Sequence, residues 1–121
     1  MNRIRGRVDG LAIRFLVEAE NGASAEVDLD TGFTGQLALD SATLTTLGFG
    51  GPVALASVEL GDGSRVDTPV YEGRLRWFDS SREVAALLTT SPVGSLGMAL
   101  LSELIIHIDM KGSTAHIEKP E

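Results

Sequence analysis

The sequence predicts a mostly-β chain carrying one or two short helices, and three observations predict it. Apolar and polar residues alternate in short runs over residues 11–18, 24–29, 53–60, 66–78 and 105–110, the period of a strand with one buried face. Turn-forming residues separate the runs: Asp9-Gly10, Asn21-Gly22, Gly61-Asp62-Gly63-Ser64 and Lys111-Gly112-Ser113. Apart from the contested residues 79–90, helical patterns are confined to residues 42–47 and 97–104, each a turn or two long.

Residues 4–10 form a short alternating segment closed by Asp9-Gly10. Residues 11–18 are a strand, Asn21-Gly22 is the clearest hairpin turn, and residues 24–29 return. On the returning strand Val27 and Leu29 share one face, and Glu26 and Asp28 the other, so Asp30 stands at the strand's end. Residues 33–39 read as extended, with Leu37 and Leu39 on one face. Asp40 or Ser41 caps the helix over residues 42–47, and Gly48 stops it. Residues 48–52 read as a loop; it is no phosphate loop, since no Gly-Lys-Ser/Thr follows and no helix begins.

Residues 53–60 and 66–75 form a hairpin with a small, polar, glycine-rich tip. Residues 74–78 alternate as strand, and Trp77, the single tryptophan, is expected in the core. Residues 79–90 carry competing signals. Ser80-x-x-Glu83 ahead of Val84-Ala85-Ala86-Leu87-Leu88 is a capping box leading into helix formers. Ser91-Pro92-Val93 is a break, after which residues 97–104 read as a short helix with Met98, Leu101 and Leu104 on one side. Residues 105–110 and 114–118 are a final strand pair, and residues 119–121 a loose tail.

The 121 residues suit one domain, and 43% hydrophobic against 22% charged residues allow a sizeable core. Only 5% are aromatic, so aliphatic side chains must fill most of it. Seventeen acidic and ten basic residues give a net charge of -7, which argues against nonspecific nucleic-acid binding. Without cysteine, this chain offers no disulfide, thiolate ligand or cysteine nucleophile. Met1-Asn2-Arg3-Ile4-Arg5-Gly6 lacks the apolar core of a secretory signal and no run is long enough to span a membrane, so a cytoplasmic setting without membrane contact is expected.

The chemistry centres on Val27-Asp28-Leu29-Asp30-Thr31-Gly32-Phe33-Thr34-Gly35-Gln36-Leu37-Ala38-Leu39. A carboxylate at a strand end, followed by a hydroxyl residue and a glycine, is well presented: Thr31 can hydrogen-bond backbone and Gly32 permits close approach. By itself Asp-Thr-Gly is also an ordinary turn between strands. Further on come Val93-Gly94-Ser95-Leu96-Gly97-Met98-Ala99-Leu100-Leu101 and Ile105-Ile106-His107-Ile108-Asp109. In this order the segments resemble the retropepsin-like (clan AA) aspartic peptidases, above all the small bacterial single-domain type, over residues 27–117.

The resemblance implies a closed, orthogonal β-barrel of the retropepsin-like acid protease fold with one or two short helices, as one domain over residues 1–121. It implies a homodimeric aspartic endopeptidase acting on a peptide or protein, with no cofactor and no metal. Asp30 would be catalytic, with Thr31, Gly32 and Thr34 supporting the dyad and Leu96 and Gly97 backing the catalytic loop. Gly61, Asp62, Gly63 and Ser64 would form the tip of a flap. The motif order favours strand over helix in the contested segment, with residues 79–82 as turn and 83–89 as strand. It also suits residues 4–8 and 114–118 to a dimer interface, as edge strands in need of a partner.

Acid-pair hydrolysis needs one carboxylate as base toward water and one carboxylic acid to polarise the scissile carbonyl. Two carboxyls about 3 Å apart cannot both ionise and titrate as a pair. The chain has one Asp-Thr-Gly: Asp67-Thr68-Pro69 lacks the glycine and Asp62-Gly63-Ser64 has the wrong order. A dyad therefore requires Asp30 from each of two subunits across a twofold axis.

Three positions depart from the family pattern: Ser95 within the usual apolar pair, Ala99 where a polar residue is common, and Asp28 in place of an apolar residue. Asp28 also puts a second carboxylate near Asp30, and like charges disfavour joint ionisation. His107 and His116 can face each other across the last strand pair with Asp109 nearby, but two histidines alone make a poor metal site. No Gly-x-Ser-x-Gly elbow supports a serine triad. The alternatives are a non-catalytic dimeric peptide- or protein-binding module on the same fold, and a small β-barrel with no dyad.

Overall fold

The computed structural model describes residues 3–121. In chain order its elements are β1 (Arg3–Asp9), β2 (Ala12–Ala19), β3 (Ser24–Leu29), β4 (Leu37–Leu39), α1 (Ser41–Thr46), β5 (Gly50–Glu59), β6 (Arg65–Trp77), β7 (Ser80–Leu88), β8 (Gly94–Leu96), α2 (Met98–Leu101), β9 (Ile105–Asp109) and β10 (Thr114–Glu118). The strands are hydrogen-bonded in the order β5-β6-β7-β4-β8-β3-β2-β1-β10-β9, and β6 also pairs with β2. That extra pairing closes β2, β3, β8, β4, β7 and β6 into a six-strand barrel. Two wings leave it: β5 hangs from β6, and β1-β10-β9 hang from β2.

The alternation in the sequence becomes the barrel wall. On β2, Phe15, Val17 and Ala19 are buried, while Leu16 and Glu18 face outward. They meet Val27, Leu37, Leu39, Leu75, Val84, Ala86 and Leu96, all buried, so the barrel interior is mainly aliphatic, with large rings from Phe15 and Trp77. Trp77 is buried, as expected. β6 shows the rule by contrast: Leu75 and Trp77 alternate with exposed residues inside the barrel, whereas Arg65, Val66 and Asp67, beyond it, are exposed on both faces. Gly6 lets β1 cross β2 closely, because a Cβ there would strike the Phe15 ring and the Arg14 carbonyl.

The turns follow their residues. Gly22 takes φ +90° and Asn21 Oδ1 accepts from the Ala23 N–H at 2.9 Å. Asp40 is the N-cap of α1, its Oδ1 accepting from the Thr43 N–H at 2.8 Å, and Gly48 ends the turn at φ +75°. The contested segment is strand. Val84 and Ala86 are buried at a spacing of two, and the ladder from Val70↔Leu87 to Trp77↔Ser80 pairs Ser80 through Leu87 with β6.

Five expectations are corrected. β7 starts at Ser80, so the turn is Phe78-Asp79 rather than residues 79–82, with Phe78 at φ 60°. β5 starts at Gly50, within the segment expected to be a loop, because Gly50 pairs with Glu72. Residues 33–36 are not extended strand, since their carbonyls bond elsewhere, as described below. α2 is a single turn that buries Leu100 and Leu101 and leaves Met98 42% exposed. Finally, β1 and β10 are not edge strands: they pair with each other and with β2 and β9, so the edge of this wing is β9.

The outer face of β1, β2 and β3 carries charge pairs: Arg7–Glu26 at 2.8 Å, Arg14–Asp28 at 2.9 Å and Arg14–Asp9 at 3.0 Å. The Arg7 hydrogen bond holds the Glu26 carboxyl below its usual range. Exposed pairs of this kind contribute little individually to stability. The barrel interior carries most of it: Phe15→Ala is expected to cost about 3–5 kcal/mol in urea unfolding, whereas Leu16→Ala on the opposite face changes it by less than about 0.5 kcal/mol.

Candidate functional site

Asp30 follows the last residue of β3, on an exposed turn that β8 supports from below. β8 runs parallel to β3 (Val27↔Gly94, Leu29↔Leu96) and antiparallel to β4 (Leu37↔Leu96), so it lies between them. The Asp30 N–H donates to the Leu96 carbonyl at 3.0 Å, continuing the ladder by one bond. The chain then reverses. The Asp30 carbonyl accepts from the Phe33 N–H at 3.1 Å, and Asp30 Oδ1 accepts from the Gly32 N–H at 3.0 Å. One residue thus closes its own turn through backbone and side chain, an Asx turn.

The far side of the loop is held by the start of α2. The Gly97 N–H donates to the Gln36 carbonyl at 2.9 Å, Met98 N–H to Phe33 at 2.8 Å, and Ala99 N–H to Gly35 at 3.2 Å. These bonds take the carbonyls that an extended strand would have offered to a neighbour. Gly97 is buried, and a Cβ on it would overlap the Gly35 carbonyl and come within 2.6 Å of the Phe33 ring. Gly94 is also pinned: its Cβ would lie 2.7 Å from the Ala38 carbonyl. Gln36 adds a cross-brace, its Oε1 accepting from the Ala85 N–H on β7 at 2.7 Å.

A cleft of about 750 Å³ opens beside this turn. Gly32, Phe33, Thr34 and Gly35 form one wall, with Leu37, Val70, Ala85, Leu87 and Ala99 nearby, and residues 56–59 with Arg65 form the other. The second wall belongs to the β5–β6 hairpin. Its tip, residues 60–64, is fastened by Leu60 N–H to Ser64 carbonyl at 2.7 Å and Gly63 N–H to Leu60 carbonyl at 2.9 Å. Asp62 Oδ1 accepts from both the Ser64 N–H and hydroxyl, which holds its carboxyl below the usual range. A separate hollow of about 580 Å³, lined by Trp77, Phe78, Arg82, Glu103 and Lys119 among others, contains no residue of the Asp30 turn.

The structure thus brings together Asp30, Gly32 and Thr34 with Leu96 and Gly97, and sets the hairpin carrying Gly61, Asp62, Gly63 and Ser64 across the cleft from the turn. Asp30 and Thr31 are exposed on the turn and do not line the cleft, which begins at Gly32; Leu96, Gly97 and the tip residues Gly61, Asp62, Gly63 and Ser64 do not line it either. Ser95 is paired with Asp28 and Ala38 in the ladders, and Ala99 lines the cleft. Asp28 is ion-paired with Arg14, which offsets its charge next to Asp30. Sequence reasoning missed Gln36, Phe33 and Gly35 as parts of the support. The nearest signal was Gly35, since a glycine beside a second apolar element suggests close backbone approach.

No family model matches the chain, and no curated protein matches it. Among solved structures, a retropepsin-like aspartic protease from Rickettsia conorii superposes with a TM-score of 0.65. The match covers 95% of this chain and 89% of that one, at 15% sequence identity. The chain has the retropepsin-like fold. The loop between β3 and β4, over residues 32–36, and the β5–β6 hairpin are the two parts that frame the cleft.

Close packing under the retropepsin-like turn predicts opposite outcomes for two glycines. Gly97→Ala is expected to destabilise by about 1–3 kcal/mol in urea unfolding, because the loop must shift. Gly61→Ala, which meets nothing within 4 Å, is expected to stay within about 0.5 kcal/mol of the parent.

Proposed function

We propose that the chain is a homodimeric aspartic endopeptidase of the cytoplasm, one domain over residues 1–121, whose dyad is Asp30 from each subunit. One observation carries the reading: an exposed aspartate turn, tied by backbone bonds to Leu96 and Met98, leads directly into the wall of a cleft whose other wall is the β5–β6 hairpin. The likeness in fold to a retropepsin-like aspartic protease supports it. With one Asp-Thr-Gly per chain, the second acid has to come from a copy of the same turn. Asp30, Thr31 and Gly32 are exposed, and so is Met98, which is hydrogen-bonded to the same loop, so a twofold contact here has a face to cover.

The chemistry follows from proximity. The pair holds one proton between two carboxyls. The ionised member takes a proton from water as its oxygen adds to the scissile carbonyl carbon, and the protonated member donates to the carbonyl oxygen. The tetrahedral intermediate collapses when a proton reaches the amide nitrogen and the C–N bond breaks, returning one proton to the pair. Thr31, Gly32 and Thr34 keep the two turns in register, and Leu96 and Gly97 hold each from beneath. The β5–β6 tip, with Gly61, Asp62, Gly63 and Ser64, closes over the peptide and keeps bulk water out.

Asp30→Asn is expected to lower peptide cleavage by roughly 10²–10⁴-fold, with circular dichroism and dimer mass unchanged. Cleavage at the parental rate by purified Asp30→Asn protein would refute the assignment. Peptide binding without turnover by the parent at any pH would favour the non-catalytic binding module.

A further inference from the structure

The outer face of the β1-β10-β9 wing carries a side-chain cluster that the peptidase reading does not use. His107 on β9 is the register partner of His116 on β10, and their rings stack with centroids 4.3 Å apart and 23° between planes. Glu118 lies two residues beyond His116, on the same strand face. Its Oε2 is 3.0 Å from His107 Nε2. One nitrogen or oxygen atom from each of the three lies within 4.8 Å of the other two. The intervening Ile117 is buried, and β10 is laddered to β1 on one side and β9 on the other, so the backbone beneath the cluster is fixed.

We propose that His107, His116 and Glu118 form a binding site for a borderline divalent transition metal ion, with zinc the first choice. Two imidazole nitrogens and a carboxylate oxygen are a donor set that zinc accepts, while magnesium and calcium prefer oxygen alone. In a tetrahedral zinc site with bonds of about 2.0–2.1 Å, ligand atoms stand about 3.3 Å apart. The His107–Glu118 edge is already near that spacing, while the His116 nitrogen, within 4.8 Å of both, has to swing out of the stack with His107 for its lone pair to converge on the ion. The fourth position is left to solvent.

The charged neighbours are mixed. Arg3 and Arg5 on β1 stand opposite Glu118 and His116 in register, and Asp109 on β9 stands opposite Thr114. Partial burial first, then Arg3 and His107, hold the His116 imidazole below its usual range against the opposing pull of Glu118. This favours the neutral, ligating form at neutral pH. The ion fastens β9, the edge strand of this wing, to β10, and a pinned edge is a poorer template for unwanted strand pairing.

The test is calorimetric titration of untagged protein with zinc chloride at neutral pH, with cobalt(II) as an optical probe. One zinc ion per chain is expected, with visible cobalt bands of a tetrahedral site. Affinity is expected to fall roughly tenfold or more once the pH drops a unit below the ordinary histidine value of about 6.5. His107→Ala and His116→Ala are expected to abolish saturable binding with the fold retained. Glu118→Gln, which preserves volume, is expected to weaken it, and Asp30→Asn to leave it unchanged. Absence of saturable zinc binding by the parent, or parental affinity in His107→Ala, would overturn the site. So would half an equivalent bound with a doubled mass, because the ion would then join two chains.

Discussion

The Asp30 turn depends on β8. β3 and β4 are not neighbours, and among the described residues their only shared partner is a strand of three residues far along the chain. Leu96 receives the Asp30 N–H, and the next three residues give their N–H groups to Gln36, Phe33 and Gly35. The backbone of residues 96–99 thus holds both limbs of the loop. Such contacts bring in a large closure entropy, so they form only when the rest of the barrel is in place. The aspartate is therefore positioned by the completed fold rather than by its own hairpin.

Much of this was legible in the sequence because local chemistry and tertiary context agree. Asn21-Gly22 makes the turn its side chain favours, Asp40 caps α1, and β2 alternates with the period of its buried face. Residues 79–90 show the opposite case. A capping box and five helix-compatible residues are overridden, because β6 and β4 each offer that segment a ladder while Val84 and Ala86 fill the barrel. The Phe33–Gln36 stretch was unreadable for a related reason. Its apolar and small residues look extended, but its carbonyls are claimed by α2, which no local pattern announces.

The two wings were only half visible. The β5–β6 hairpin declared itself through its glycine-rich tip, whereas the β1-β10-β9 order places β1 and β10 inside the sheet and makes β9 the edge of that wing. The expectation of terminal edge strands failed because sequence shows where strands begin and end but not which neighbours they take. His107 and His116 were foreseen as a facing pair; the addition of Glu118 depended on the register His116↔His107.

β6 runs without interruption from Arg65 at the hairpin tip to Trp77 in the barrel core, while its partner β5 loses register between Gly50 and Ala54, where Gly51, Pro52 and Val53 stand opposite Tyr71 alone. The ribbon is therefore a cantilever with one stiff rail and one slack rail. The irregularity bends and twists the slack rail near its root, so the aim of the whole projecting ribbon is set where it leaves the barrel wall and not at its free end.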